Sequence, residues 1–271
     1  MRLFDTHFHY YAELEPVAYR RKIEDDLVAS GVTPLPERFG LLAAGGSYPD
    51  SLKARDFAAA VPDGFFAAGV HPHEAGEALK TPADFGALHA DPRCVAVGEI
   101  GLDYFYELSE KPAQRRVFGQ FLQLALETGL PAIVHCRDRD DADAAYADVY
   151  AALADFAAGG GRMVIHCFTG TPAWAEKFLA LGAYLGVTGI VTFHRAENVR
   201  QSLRIIPPDR LLLETDSPYL APAPFRGKPC SPGYLPLVAA RVAKELELPL
   251  PELADRTFDN AMRFFNLTRE S

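Results

Sequence analysis

Short apolar runs bounded by turn residues recur eight times along the chain, and most are followed by a longer amphipathic stretch. The runs at 3–7, 39–44, 64–71, 95–100, 132–135, 162–166, 183–187 and 211–214 predict strands. The stretches at 16–29, 51–61, 82–90, 114–128, 141–158, 172–181, 197–205, 231–247 and 251–265 predict helices. Runs such as Cys94-Val95-Ala96-Val97 and Ala132-Ile133-Val134 are apolar throughout. Such runs mark strands buried on both faces of a sheet. Alternating strands and helices predict an α/β fold with a parallel sheet. Eight units favour a closed (β/α)8 TIM-type barrel over an open doubly wound sheet, with a seven-stranded or distorted barrel as the variant. Chemistry in such barrels sits at the carboxyl ends of the strands.

No repeat, low-complexity tract or linker divides the sequence, so a single domain over 1–271 is expected. The segment 10–38 is long for a connection between the first two strands. It carries the helix at 16–29 and a stop at Pro34-Leu35-Pro36. Two readings are open: an insertion at the rim of the barrel, over the site, or an ordinary crossover helix with a long exit loop.

Composition narrows the function classes. A chain of 271 residues, 49% hydrophobic and 23% charged, can bury a large core and is neither disordered nor collagen-like. The formal net charge of −9 excludes a protein that grips long nucleic acid by bulk charge. A phosphate-bearing substrate would need a local cluster or bound metal. No apolar run approaches the roughly 20 residues of a membrane span, and Met1-Arg2 leads straight into Leu3-Phe4-Asp5 without a secretory leader. The four cysteines, Cys94, Cys136, Cys167 and Cys230, are widely separated and form no C-x-x-C pair. A cytoplasmic protein with reduced thiols and no membrane contact is the expectation.

The chemistry gathers at strand ends. His7 and His9 form an H-x-H pair whose alternation turns both imidazoles to one side, within the reach of one ion. Glu99, His135, His166 and Asp216 also stand at or just beyond predicted strand ends. Singly, each has an ordinary structural explanation. Glu99 can serve a turn between Gly98 and Gly101, the histidines can bond to backbone, and Asp216 can open a turn before Ser217-Pro218. Together they converge on one mouth, where six uncompensated polar groups would be costly to bury. Four histidines and two carboxylates exceed the needs of one tetrahedral ion. They suit two divalent ions about 3.5–4 Å apart with a bridging carboxylate.

Six stretches carry a resemblance. They are Phe4-Asp5-Thr6-His7-Phe8-His9, Gly69-Val70-His71-Pro72-His73, Val97-Gly98-Glu99-Ile100-Gly101-Leu102-Asp103-Tyr104, Ile133-Val134-His135-Cys136-Arg137-Asp138, Val164-Ile165-His166-Cys167-Phe168-Thr169-Gly170 and Leu213-Glu214-Thr215-Asp216-Ser217-Pro218-Tyr219-Leu220. In this order and over nearly the whole chain, the sequence resembles the TatD family of metal-dependent hydrolases, within the wider amidohydrolase-like barrels. The resemblance implies metal-dependent phosphodiester cleavage, described for the family as deoxyribonuclease activity, with DNA as the substrate. It implies one ion on His7, His9, Glu99 and Asp216 and another on Glu99, His135 and His166, with Glu99 as the bridge. Asp216, beside the attacking water, is the candidate proton acceptor. His71 is a candidate contact to a substrate phosphate or leaving oxygen, and His73 either such a contact or a rim residue. Arg137 is either a bidentate phosphate contact or a solvated surface arginine.

The chain departs from the family pattern where Arg226-Gly227-Lys228 runs into Pro229-Cys230-Ser231-Pro232 instead of Arg-Asn-Glu-Pro. That loop follows the last strand and bears on substrate preference. Two other functions compete: a barrel hydrolase of a small amide, ester or lactone, and a metal-loaded binding protein without turnover. Imidazole-rich ligation favours zinc, manganese, nickel or iron, whereas the resemblance implies magnesium.

Overall fold

A computed structural model describes residues 1–76 and 81–267. Eight strands are β1 (Arg2–Phe8), β2 (Arg38–Ala44), β3 (Gly64–Ala68), β4 (Cys94–Asp103), β5 (Ala132–Arg137), β6 (Met163–Ile165), β7 (Tyr184–Val187) and β8 (Leu211–Leu213). They form one parallel sheet in the order β1-β2-β3-β4-β5-β6-β7-β8. Helices α1 (Pro16–Ala29), α2 (Tyr48–Ala60), α3 (Gly86–His89), α4 (Lys111–Thr128), α5 (Ala144–Ala158), α6 (Pro172–Ala180), α7 (Glu197–Leu203), α8 (Leu235–Glu245) and α9 (Leu250–Phe264) complete the fold.

No backbone ladder joins β8 to β1 among the described residues. The seam closes through other groups. Thr6 Oγ1 donates to the Leu213 carbonyl at 3.1 Å, and the Asp5 carboxylate accepts from Thr215 N and Thr215 Oγ1 at 2.9 and 2.6 Å. Just beyond, Asp216 N donates to His7 O and His9 N to Ser217 O. The barrel is therefore shut at the strands that carry the H-x-H pair.

Adjacent residues on each strand enter different cores. Leu3, Leu41, Phe66, Val134, Leu185 and Leu211 pack outward against helix residues such as Phe57, Phe121 and Phe178. Phe4, Leu42, Phe65, Ile133, Tyr184 and Leu212 fill the barrel interior with Phe258, Met262, Phe264 and Phe265. This two-sided burial explains the unbroken apolar runs. Helix α9 plugs the amino-terminal end of the barrel, where Arg2 pairs with Asp255 and Asp259 and Asn260 donates to Leu211 O.

Several element limits differ from the sequence reading. The strand predicted at 64–71 stops at Ala68, and its last residues become the approach to a 3-10 turn at Pro72–Glu74. The strand predicted at 95–100 runs on to Asp103, and the helix predicted at 82–90 is a 3-10 turn followed by the short α3. Helix α2 begins earlier than predicted because Ser47 caps it, its hydroxyl accepting from Asp50 N. In the segment 10–38, α1 buries Ile23 and Leu27.

Two register shifts matter for function. One lies between Asp5 and Phe8 in the β1-β2 pair, the other between Val97 and Ile100 in the β4-β5 pair. On a regular strand Phe4 and Phe8 would share a face, yet Phe4 is inside the barrel and Phe8 in the outer layer. Each shift spans a candidate ligand, His7 or Glu99, and re-aims its side chain as bulges do.

Candidate metal centre

Strand ends bring Glu99 into the middle of a histidine ring. Its Oε2 lies 3.3 Å from His7 Nε2 and 3.6 Å from His9 Nε2. Its Oε1 lies 3.0 Å from His135 Nδ1 and 3.2 Å from His166 Nε2. Asp216 Oδ1 stands 3.4 Å from His9 Nε2 and 3.8 Å from His7 Nε2. All six residues expected at the mouth are thus assembled, with one carboxylate oxygen turned to each histidine pair.

The outer nitrogens explain how the rings are held. His135 Nε2 donates to Asp103 Oδ2 at 3.1 Å, His166 Nδ1 to Glu214 Oε1 at 3.2 Å, and His9 Nδ1 to the Ala44 carbonyl at 3.2 Å. Each of these acceptors fixes a proton on the outer nitrogen, so the inner nitrogen facing Glu99 or Asp216 carries either a second proton or a lone pair for a metal ion. A lone pair facing a carboxylate oxygen at about 3 Å is repulsive unless a cation or a proton lies between them. His7 is instead positioned by stacking on His166, with ring centroids 3.7 Å apart.

The donor set fits a divalent cation. Ligand bonds of about 2.0–2.1 Å at a tetrahedral angle separate two donor atoms by roughly 3.3 Å. The His7 Nε2 to His9 Nε2 distance is 3.4 Å, and the contacts to Glu99 and Asp216 scatter around the same value. The ligand atoms of His7, His9 and Asp216 lie within 4.8 Å of one another.

Electrostatics point the same way. Burial opposes charge on Glu99, but His166, His71 and His7 around it outweigh burial and hold its carboxyl well below the usual range. Burial likewise opposes ionisation of Asp216, and the His9 hydrogen bond and the neighbouring imidazoles lower it. Burial disfavours the charged form of His166, yet the Glu99 and Glu214 carboxylates raise it well above the ordinary histidine value. The same balance raises His9 and His135. The cluster is two anions that demand positive charge in their midst.

His71 behaves differently. Its Nε2 is 3.6 Å from Glu99 Oε1, and His71, Glu99 and His135 also have ligand atoms within 4.8 Å of one another. However, His71 Nδ1 accepts from His73 N at 3.2 Å. The neutral ring therefore carries its proton on Nε2, where a metal would need a lone pair. Burial holds His71 well below the usual histidine range, so it stays neutral and acts as a donor into the mouth. Arg137 stands outside the cluster. Its guanidinium lies 4.3 and 4.8 Å from the ring centroids of Phe105 and Tyr106.

Comparison with known proteins bears on these same stretches. The family model of TatD related DNase matches residues 4–266. The chain belongs to the TatD family. It is 36% identical over 271 residues to an uncharacterized metal-dependent hydrolase of Bacillus subtilis, YabD, covering 98% of this chain and 99% of that one. It is 38% identical over 235 residues to the 3'-5' ssDNA/RNA exonuclease TatD of Erwinia tasmaniensis, covering 84% and 88% respectively. Among solved structures, the TatD homolog YJJV of Escherichia coli matches with a TM-score of 0.82 at 26% identity, covering 98% of this chain and 99% of that chain. The motif resemblance and the barrel expected from it are both found.

Beyond the expected residues, this TatD-family site uses Asp103, Glu214 and His73. Asp103 Oδ2 bridges His135 Nε2 and, at 3.0 Å, His73 Nε2, so His73 is tied into the network and is more than a rim residue. The signal was present in the sequence, since Asp103 follows Glu99 on the same strand and Glu214 precedes Asp216 by two. Two glycines make the space. A Cβ on Gly101, at φ +144°, would stand 2.0 Å from His135 O, and one on Gly186 would stand 2.5 Å from Glu214 Oε1. All four cysteines are free, and no helix among the described residues is long and apolar enough to cross a membrane.

Proposed function

We propose that this metal-dependent TatD-family hydrolase cleaves phosphodiester bonds in single-stranded nucleic acid, using two divalent ions bridged by Glu99. The observation that carries the reading is the division of one buried carboxylate between two histidine pairs, Oε2 towards His7 and His9 and Oε1 towards His135 and His166. His7, His9, Glu99 and Asp216 would hold one ion, and Glu99, His135 and His166 the other. Zinc, manganese, magnesium, nickel and iron are the candidate ions, with the imidazole share favouring the softer ones. When bound, the ions supply Lewis acidity, lowering the pKa of water and offsetting charge on the phosphodiester. The free thiols suit work in the reducing cytoplasm.

The chain's own groups supply the rest. Asp216, ionised and within reach of the His9 edge, accepts the proton of the attacking water. Its backbone is held at φ +56° by the bond from Asp216 N to His7 O, which aims the carboxylate into the mouth. His71 presents its Nε2 proton to a phosphate or leaving-group oxygen. Arg137, held between the rings of Phe105 and Tyr106, offers the phosphate a guanidinium fork. Asp103 and Glu214 orient His135 and His166.

The test is cleavage of single-stranded DNA by the purified protein in the presence of each candidate ion, set beside small carboxylic esters and amides. Ion-dependent cleavage of DNA, abolished by a chelator, is expected. Turnover of carbonyl substrates alone, or DNA cleavage that survives chelation, overturns the reading.

A further inference from the structure

The mouth of the barrel is electrically lopsided. After β5, the connection to α5 carries Asp138, Asp140, Asp141 and Asp143 within six residues, with Asp140, Asp141 and Asp143 exposed, while the one arginine among them, Arg139, pairs with Glu107. After β7 and β8, the mouth instead carries Arg195, Arg226 and Lys228, all exposed. None of these three cations pairs with a carboxylate among the described residues. Elsewhere exposed arginines are commonly paired, as Arg204 is with Glu197 and Glu245 and Arg139 with Glu107.

The basic side is also concave. A cavity of about 460 Å³ is lined there by Thr169, Phe193, Arg195, Asn198 and Arg226, among others. The Arg226 guanidinium carbon lies 3.8 Å from the Phe193 ring centroid, so a long cationic side chain is held over an aromatic face. Asn198 Nδ2 donates to Thr169 O at 2.9 Å and ties the two walls together. Thr169 follows His166 by three residues, so by chain length alone it lies within roughly 11 Å of that ligand's backbone.

Unpaired cations, an arginine over an aromatic ring and a cavity whose lining includes Thr169, three residues beyond the candidate ligand His166, match what unpaired polynucleotide requires, phosphate contacts with a surface on which a base can stack. The aspartates after β5, two strands round the rim from β7, repel the same backbone. We propose that the substrate strand leaves the metal centre across the β7–β8 side of the mouth, with Arg195 and Arg226 holding the phosphates next to the scissile one. The proposal rests on the phosphodiesterase reading for its occupant, and it resolves how a chain of net charge −9 receives a polyanion. Exposed cations without a carboxylate partner gather at this exit, and the aspartates after β5 disfavour the strand on their side.

The test measures binding apart from turnover. A fluorescent thymidine oligonucleotide with phosphorothioate linkages is titrated into the manganese-loaded full chain over a range of salt. The wild-type protein is expected to bind it. The R195A/R226A double substitution is expected to weaken binding about tenfold and to flatten the salt dependence by about 1.4 in log–log slope, two single-strand phosphate contacts. The R195K/R226K pair, which keeps the charge, is expected to restore the slope and so separates charge from folding damage. D140N/D141N, after β5, is expected to change affinity less than twofold. Unchanged affinity and slope in R195A/R226A, no binding by the wild type, or a D140N/D141N effect as large as that of R195A/R226A overturns the proposal. Hydrolysis of the small diester bis(p-nitrophenyl) phosphate, measured in parallel, reports on the phosphodiesterase reading separately.

Discussion

The two ends of this barrel are made from the same eight strands and serve opposite purposes. At the amino-terminal end α9 drives Phe258, Met262, Phe264 and Phe265 against Phe4 and Tyr184, an apolar plug whose few polar groups are paired, Arg2 with Asp255 and Asp259 and Asn260 with Leu211 O. At the carboxyl end the same strands bury Glu99, His7 and His166, groups whose burial is costly unless positive charge joins them. The contrast teaches that stability is concentrated at one end and reactivity at the other, a division common to this barrel class. It also assigns different readouts to mutations only a few residues apart in sequence.

The sharpest break is expected from Glu99→Ala. Losing the shared carboxylate should lower ion-dependent turnover on the order of a thousandfold or more, while thermal unfolding of the ion-free protein should shift little, because a buried anion leaves with it. Phe264→Ala, at the other end, is expected to do the reverse. It empties a nearly fully buried aromatic site and should lower unfolding free energy by about 3–5 kcal/mol, with turnover per folded molecule unchanged. Denaturant titration and initial rates on both variants decide whether the ends are separable. A Phe264→Ala protein that is stable but inactive would dissolve the comparison.

Asp103→Asn sharpens the comparison within the reactive end. Asparagine keeps the size but weakens the acceptor for His135 Nε2, so metal affinity or turnover should fall roughly 10- to 100-fold, as measured by competition with a chromogenic chelator. His73→Ala, which removes the second partner of Asp103, should have a smaller effect in the same direction.

The smallest effect concerns protons. His9, His135 and His166 hold protons to a higher pH than an ordinary histidine at about 6.5, burial being outweighed by the carboxylates beside them. A group whose pKa is raised keeps its proton until the pH climbs through the raised value, and a divalent ion must displace that proton. Metal affinity should therefore rise with pH through the neutral range and fall on acidification, with protons released on loading. Calorimetry in two buffers of different ionisation enthalpy reads that release, and loading without proton release would contradict the raised proton affinity of these three rings.

Much of this was legible from residue order. The apolar runs located all eight strands, since burial on both faces removes the alternation that would otherwise blur a strand with a surface segment. The six mouth residues were legible because strand ends in a parallel barrel share one rim. What residue order did not reveal were the two register shifts, which put His7 and Glu99 on the inner face by an extra residue in the ladder and leave no local trace in composition. Asp103 and Glu214 stand close to the ligands in sequence, but their roles are not legible there, because a carboxylate that orients a histidine looks like any other acidic residue near a turn. The helix expected at 82–90 broke into a 3-10 turn and α3, consistent with Gly86 in the middle of the run.

The central claim is that Glu99 divides its carboxylate between two ions. Metal analysis of the protein after loading and gel filtration, with activity on single-stranded DNA measured on the same fractions, tests it most directly. The account expects two divalent ions per chain in the active wild-type protein and at most one, with activity lost, in Glu99→Ala. A fully active wild-type protein holding a single ion, or two ions retained by Glu99→Ala, would contradict it.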